Sequence, residues 1–195
     1  MKSDIVLAGV GGQGILTIAT ILGAAALADN LYLKQAEVHG MSQRGGDVQS
    51  NLRISSRPIH SDLIPLGGAD LIVSLEPMEA LRYLPFLNKE GWIITNSTPF
   101  INIDNYPEHD KIAAELKKHP NLVMFDMDAV AKEVATQRSS NLVLLGAASP
   151  FIEMAPEKIE EAIRGLFIRK GEKIAEANIA AFREGRRIAQ QAQNS

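Results

Sequence analysis

The 195-residue chain contains no cysteine. Disulfides, a cysteine nucleophile, thiolate zinc sites and a self-held iron–sulfur cluster are thereby excluded, because each needs sulfur that the chain cannot supply. Any such metal must sit on a partner. Histidine is scarce as well: His39, His60, His109 and His119 fall at no metal-ligand spacing, and a lone imidazole without a second ligand reads as structural. No metal site and no catalytic residue is therefore assigned to the chain itself. Positive charge is not in excess either. A formal net charge of -3 gives no reason to expect nucleic acid, since a duplex needs a clustered basic surface. Long apolar runs are missing: the opening MKSDIVLAGV is broken by acid and glycine, which is neither a signal peptide nor a spanning helix of ~20 apolar residues. No membrane role follows, and the expected location is cytoplasmic.

What is present is a core-forming composition. With 46% apolar and 22% charged residues, the chain can bury one substantial core, which predicts a single α/β domain over 1–195. Ile5 to Ala8 is a short β-branched run, glycines follow, and Ile15 to Ala28 is a helix-length apolar segment. Tyr32 to Ala36 predicts a second strand. Val48, Leu52 and Ile54, alternating with polar residues, predict a third with one wetter face. Apolar runs at Leu71 to Leu75, Trp92 to Thr95 and Leu122 to Phe125 have the length of buried parallel strands, giving about six or seven strands in all. Helices are predicted from Met78 to Leu84, from Asp128 to Thr136 with the aspartate as cap, from Asn141 to Ala148 capped by Ser139 or Ser140, and from Pro156 to Ile168. The stretch from Thr98 to Asp110 reads as irregular. From Ile174 onward, Ala177, Ala181 and Ile188, with Phe182 beside them, predict an amphipathic last helix. The fold class is thus a Rossmann-like three-layer α/β domain with a mostly parallel central sheet and a C-terminal amphipathic helix.

Two segments carry candidate chemistry. In GVGGQG, the absent side chains of Gly11, Gly12 and Gly14, with Gln13 between them, let backbone N–H groups approach an anion at a helix start. A dinucleotide site would also need an acid on the second strand, for which Glu37 is the candidate; close helix–strand packing is the plainer account of the glycines. The second segment, EVHGMSQRGGDVQSNLRIS, joins two strands. Its Gly40, Gly45 and Gly46 allow unusual torsions, while His39, Ser42, Gln43 and Arg44, beside Met41, supply donors, and Arg44 can fork onto phosphate or carboxylate. It reads equally as a crossover loop with Arg44 tied to Glu37 or Asp47. Lys34, Arg44, Arg53, Arg57 and His60 form a locally basic segment, suited to a polyphosphate ligand or to a solvated edge. The helix ILTIATILGAAALA is apolar nearly all round, which predicts either a core helix covered on both sides or a subunit interface.

Taken in order, IVLAGVGGQGILT, AEVHGMSQRGGDVQSNLRI, ADLIVSLEPMEALRYLPFL and NLVLLGA resemble the small β subunit of the indolepyruvate:ferredoxin oxidoreductases. That subunit is the counterpart of the γ subunit of other 2-oxoacid:ferredoxin oxidoreductases. The resemblance spans nearly the whole chain and is most specific at His39 to Gly46. It implies a supporting subunit of an enzyme that decarboxylates a 2-oxoacid, passes electrons to ferredoxin and forms an acyl-CoA. Thiamine diphosphate, magnesium and 4Fe-4S clusters are expected on a large partner subunit, and coenzyme A at a shared site. Gly11 to Gly14 and His39 to Gly46 would line its mouth, with Glu76 and Asn96 as weaker candidates because both follow strand ends. An independent NAD(P)-binding oxidoreductase, a non-catalytic assembly subunit and self-pairing of the isolated chain stay open.

Overall fold

The computed structural model describes residues 1–39, 46–101 and 103–193, and of His39 the backbone alone. Most of the notable loop, Gly40 to Gly45 with Met41, Ser42, Gln43 and Arg44, lies outside the described residues.

Strand β1 (Lys2–Val10) is buried at every position after Lys2, the pattern of a strand covered on both faces. Antiparallel β3 (Asp47–Ser55) lies on one side of it and parallel β4 (Ala69–Ser74) on the other. With β2 (Tyr32–His39), β5 (Leu87–Asn96) and β6 (Leu122–Phe125), the sheet order is β2-β3-β1-β4-β5-β6. Among the described residues β3 alone runs against the rest. The mostly parallel sheet follows the sequence expectation, and six strands is within the expected number.

Side chains alternate across the sheet, as a period of two requires. Ile5, Leu7, Leu52, Leu71, Val73, Ile94 and Val123 face one cluster, which contains residues of α1 (Ile15–Ala28), α4 (Met127–Val134), α5 (Ser140–Ala148), α6 (Pro156–Phe167) and α7 (Glu172–Gln193). Val6, Ala8, Ile72 and Ile93 face a smaller cluster under α2 (Pro77–Arg82) and α3 (His109–Leu116).

Four helical expectations are corrected, the first in one of its two alternatives. Helix α1 keeps Thr20, Ala24 and Leu27 exposed, so it is not covered on both sides within this chain, which leaves the subunit-interface alternative standing; the helix buried on every side is α5, set between β4–β5 and α7. The cap of α4 is Asp126, whose carboxylate accepts the Ala129 N–H at 2.9 Å, because Asp128 is occupied elsewhere. Neither Ser139 nor Ser140 caps α5 through its side chain. The buried face of α7 is Ala175, Asn178, Ile179, Ala181, Phe182, Gly185 and Ala189, rotated from the expected stripe so that Ala177 and Ile188 are only half-buried. The reason is close approach: a Cβ on Gly185 would stand 2.0 Å from the Val143 carbonyl oxygen, and one on Gly146 1.9 Å from that of Phe182. Small residues, not large apolar ones, choose the contact face. The stretch expected to be irregular ends where α3 begins, a helix the sequence reading did not mark.

Candidate functional site

Because β1, β4, β5 and β6 are parallel, their carboxyl ends share one edge of the sheet. Crevices beyond such ends are where ligands bind in open α/β sheets. Here the turn after β1 holds Gly12 and Gly14 at φ 103° and 82°, a region that favours glycine. At Gly14 a side chain is excluded twice over, since a Cβ would also meet Asn141 Nδ2 at 2.8 Å. Gln13 staples the turn: its Oε1 accepts the Val10 N–H at 2.7 Å and its Nε2 donates to the Leu75 carbonyl at 3.4 Å.

A cleft of about 1020 Å³ opens at this edge, lined by Gly12, Gln13, Gly14 and Asn96 among the sequence candidates. Its polar floor joins distant elements. Asn96 Nδ2 donates to Asp128 Oδ2 at 2.9 Å, and its Oδ1 accepts the Met127 N–H at 3.0 Å. Ser140 Oγ donates to Asp128 Oδ1 at 2.6 Å, Ser139 Oγ to Asn178 Oδ1 at 3.1 Å, and Asn141 Nδ2 to the Gly14 carbonyl at 3.2 Å. Asn141 Oδ1 is buried and has no hydrogen-bond partner among the described residues.

Two helices, α1 and α5, begin at the cleft. Neither has a side-chain cap or an acidic residue in its first turn, which leaves a partial positive end facing the cleft; at α5 the Ser140 N–H is already bonded to the Gln137 carbonyl and Asp128 stands at the Ser140 hydroxyl. Arg138 and Lys170 line the same cleft, and neither is ion-paired among the described residues. By contrast Arg53, Arg82, Arg164, Arg183 and Arg187 all hold carboxylates. Lys170 Nζ stands over the Phe167 ring, 5.4 Å from its centroid. Chemically, the two cations and the helix starts suit an anion, beside an apolar rim at Phe100, Phe167 and Ile174 and the bonded carboxylate of Asp128. Among the described residues no group of three or more His, Asp or Glu side chains is arranged to hold a metal.

The other candidates are placed as follows. The Gly11 N–H donates to the Gly46 carbonyl at 2.9 Å, so one end of the 40–45 segment meets the glycine turn, while His39 at its other end pairs with Val48 and lies one strand further out on the same sheet edge. Asp47, the next residue, accepts the Tyr83 hydroxyl at 3.3 Å; burial, with the Asp47 carboxylate next, pushes that phenol up to about 12. Glu76 does not reach the cleft: it is wholly buried, capping α2 through the Glu79 N–H at 2.9 Å. Burial likewise raises the Glu79 carboxyl despite its pair with Arg82 at 2.7 Å. Glu37 is separated from β1 by the whole of β3, whereas the dinucleotide arrangement sets its second strand beside the first. Arg53, read as part of a basic ligand segment, is instead forked onto Asp4 at 2.7 and 3.0 Å. Sequence reasoning missed Arg138, Asp128 and Lys170 as cleft residues, because nothing local marks them. Asn141 alone had a signal, as the first residue of NLVLLGA.

The model of the pyruvate ferredoxin/flavodoxin oxidoreductase family matches residues 4–188. The chain belongs to that family. The indolepyruvate oxidoreductase subunit IorB of Archaeoglobus fulgidus is 38% identical over 95% of this chain and 94% of its own length. Among solved structures, the keto/oxoacid ferredoxin oxidoreductase γ subunit of Geobacter sulfurreducens shares the fold with a TM-score of 0.71 at 24% identity, over 97% of this chain and 99% of that one. The 2-oxoglutarate:ferredoxin oxidoreductase of Magnetococcus marinus, solved with 2-oxoglutarate, coenzyme A and succinyl-CoA bound, superposes with a TM-score of 0.77 at 22% identity. It matches 97% of this chain, which spans only 31% of that longer chain. The fold thus occurs both as a separate chain of about this length and as part of a longer one.

Proposed function

We propose that this chain is the small subunit of a 2-oxoacid:ferredoxin oxidoreductase acting on indolepyruvate or a related aryl pyruvate, and that its cleft receives the anionic part of coenzyme A. The observation that carries the reading is the convergence of two uncapped helix starts with Arg138 and Lys170, cations without carboxylate partners among the described residues, on one cleft. An array of that kind suits a phosphate-bearing carrier. The names of the relatives support the substrate class, and the coenzyme bound in the Magnetococcus structure supports the carrier. Gly12 and Gly14 offer backbone N–H groups, the Gly11 N–H being bonded to the Gly46 carbonyl, and Arg44 is the sequence's candidate for a further fork.

In this reading the partner is a large subunit carrying thiamine diphosphate, magnesium and the clusters, which a chain without cysteine cannot ligate. Bound on that partner, thiamine diphosphate would supply the carbanion-stabilising chemistry for decarboxylation, with the clusters carrying the electrons to ferredoxin. This chain binds and orients the coenzyme, and its apolar rim excludes water. The cytoplasm, where coenzyme A and ferredoxin are met, is the setting that goes with it.

The test is the double variant Arg138→Ala, Lys170→Ala in the assembled enzyme. Losing charged hydrogen bonds worth about 1.5 to 3 kcal/mol each should raise the KM for coenzyme A at least about tenfold with kcat little changed. An unchanged KM for both coenzyme and oxoacid would remove the cleft from the reading.

A further inference from the structure

The Glu76 carboxylate sits at the end of β4 and is fully buried, yet it is not spent on a cation. Ser74 Oγ fixes its backbone from both sides, donating to the Glu76 carbonyl at 2.7 Å and accepting the Glu76 N–H at 3.2 Å. Oε2 accepts the Glu79 N–H at 2.9 Å. Oε1 accepts the Phe100 N–H at 3.4 Å and the Tyr106 hydroxyl. Those two donors belong to the segment between β5 and α3, and burial together with the Glu76 carboxylate drives the Tyr106 phenol well above its ordinary range. The ends of that segment are tied locally, by Thr98 N–H to Asn96 Oδ1 at 3.3 Å and by the His109 ring to the Ser97 carbonyl at 2.8 Å. Between those ends Phe100 and Tyr106 tie the segment to the body of the fold through that carboxylate oxygen, and Tyr106 is held further by the Met78 backbone and by packing against the smaller cluster. Thr98, Pro99 and Phe100 form a wall of the cleft.

We infer that Glu76 is a positioning residue: it touches no ligand, and through Phe100 and Tyr106 it sets the wall against which the coenzyme or substrate is held. The inference rests on the cleft being the ligand site. A carboxylate fits the task because both of its oxygens accept, so donors arriving from two directions are satisfied at once in a dry setting. An amide of the same shape presents an oxygen to one direction only and opposes the other with its own N–H groups. The block LEPMEALRY thus has a long-range reason for its residue types, although it lies beside the cleft and not in it.

In the assembled enzyme, Glu76→Gln is expected to raise the KM for coenzyme A or oxoacid by about tenfold while kcat stays within about twofold, the loss of one well-placed charged hydrogen bond. Tyr106→Phe should do the same more mildly, and adding it to Glu76→Gln should change little further, because both break one tether. The thermal midpoint of each variant is measured alongside. A lowered midpoint with both KM values unchanged would reduce Glu76 to a fold residue and overturn the inference, as would additive effects of the two substitutions. The outcome is separable from the wider reading: altered KM in the Arg138/Lys170 variant with none in Glu76→Gln sinks the positioning role alone.

Discussion

The Asp4 carboxylate lies 3% exposed on β1, where a charge needs strong partners. Burial is the largest influence on it and opposes ionisation. The fork of Arg53 and the bond from Lys2 at 2.8 Å outweigh burial, so its carboxyl titrates below the ordinary 3.8. A depressed folded value means stability that is present above the unfolded value of about 3.9 and lost as pH falls through the folded one. Arg53→Met leaves the carboxylate buried with only the exposed Lys2, and should cost about 3 kcal/mol in urea denaturation at pH 7. The cost should narrow as pH falls and close only below the depressed folded value, under 3.8, where Asp4 is protonated in both proteins; a cost independent of pH would assign the loss to packing alone. The pair also shows what a sequence conceals. Arg53 sits among other basic residues, a pattern that fits a polyphosphate ligand, and its true partner lies 49 positions away. Arg138 is the converse case, an arginine in no basic cluster that the fold delivers to the cleft.

Elements were legible in the sequence where one local pattern decides them. Alternation and β-branched runs give the strands, and the glycine turn with its following apolar stretch gives α1 to the residue, while β1 extends beyond the expected Ile5 to Ala8 at both ends. What local pattern does not decide is which side of a helix meets its neighbour. Helix α7 was expected to bury Ala177, Ala181 and Ile188, yet its crossing with α5 is set by Gly185 and Gly146, each against a backbone carbonyl of the other helix. Arg186 Nη1 then reaches Ser149 Oγ at 2.8 Å, and Ser149 Oγ the Gly146 carbonyl at 2.7 Å. This crossing also holds α5 over the cleft, through Asn178 and Ser139. In an ordinary helix interior, glycine to alanine gains up to about 1 kcal/mol. Here the sign should reverse: Gly146→Ala must part the two backbones, at about 2 to 3 kcal/mol or more, read as a lowered denaturation midpoint. A stabilised Gly146→Ala protein would mean that the two helices do not cross there.

At the scale of the whole molecule, one sheet edge gathers the turn after β1, the ends of β4 and β5, the starts of α1, α4 and α5, and both ends of the glycine-rich loop. No single stretch of sequence encodes that gathering; it follows from parallel strands pointing their carboxyl ends the same way. On the reading proposed above this edge holds something charged, and its own floor is already bonded: Asp128, the carboxylate nearest to hand, is occupied by Ser140 and Asn96. A group so engaged is poorly placed to move a proton in a reaction. A receptor without a redox centre of its own should therefore be inert until it is joined to the subunit that has one. The purified chain, mixed with indolepyruvate, coenzyme A and a viologen dye, is expected to reduce none of the dye, and addition of a cysteine-rich large subunit to start the reaction. Dye reduction by the lone chain at a rate near that of the mixture would mean that the chemistry is housed here, and the assignment of this cleft as a receiving site for a carrier would fall with it.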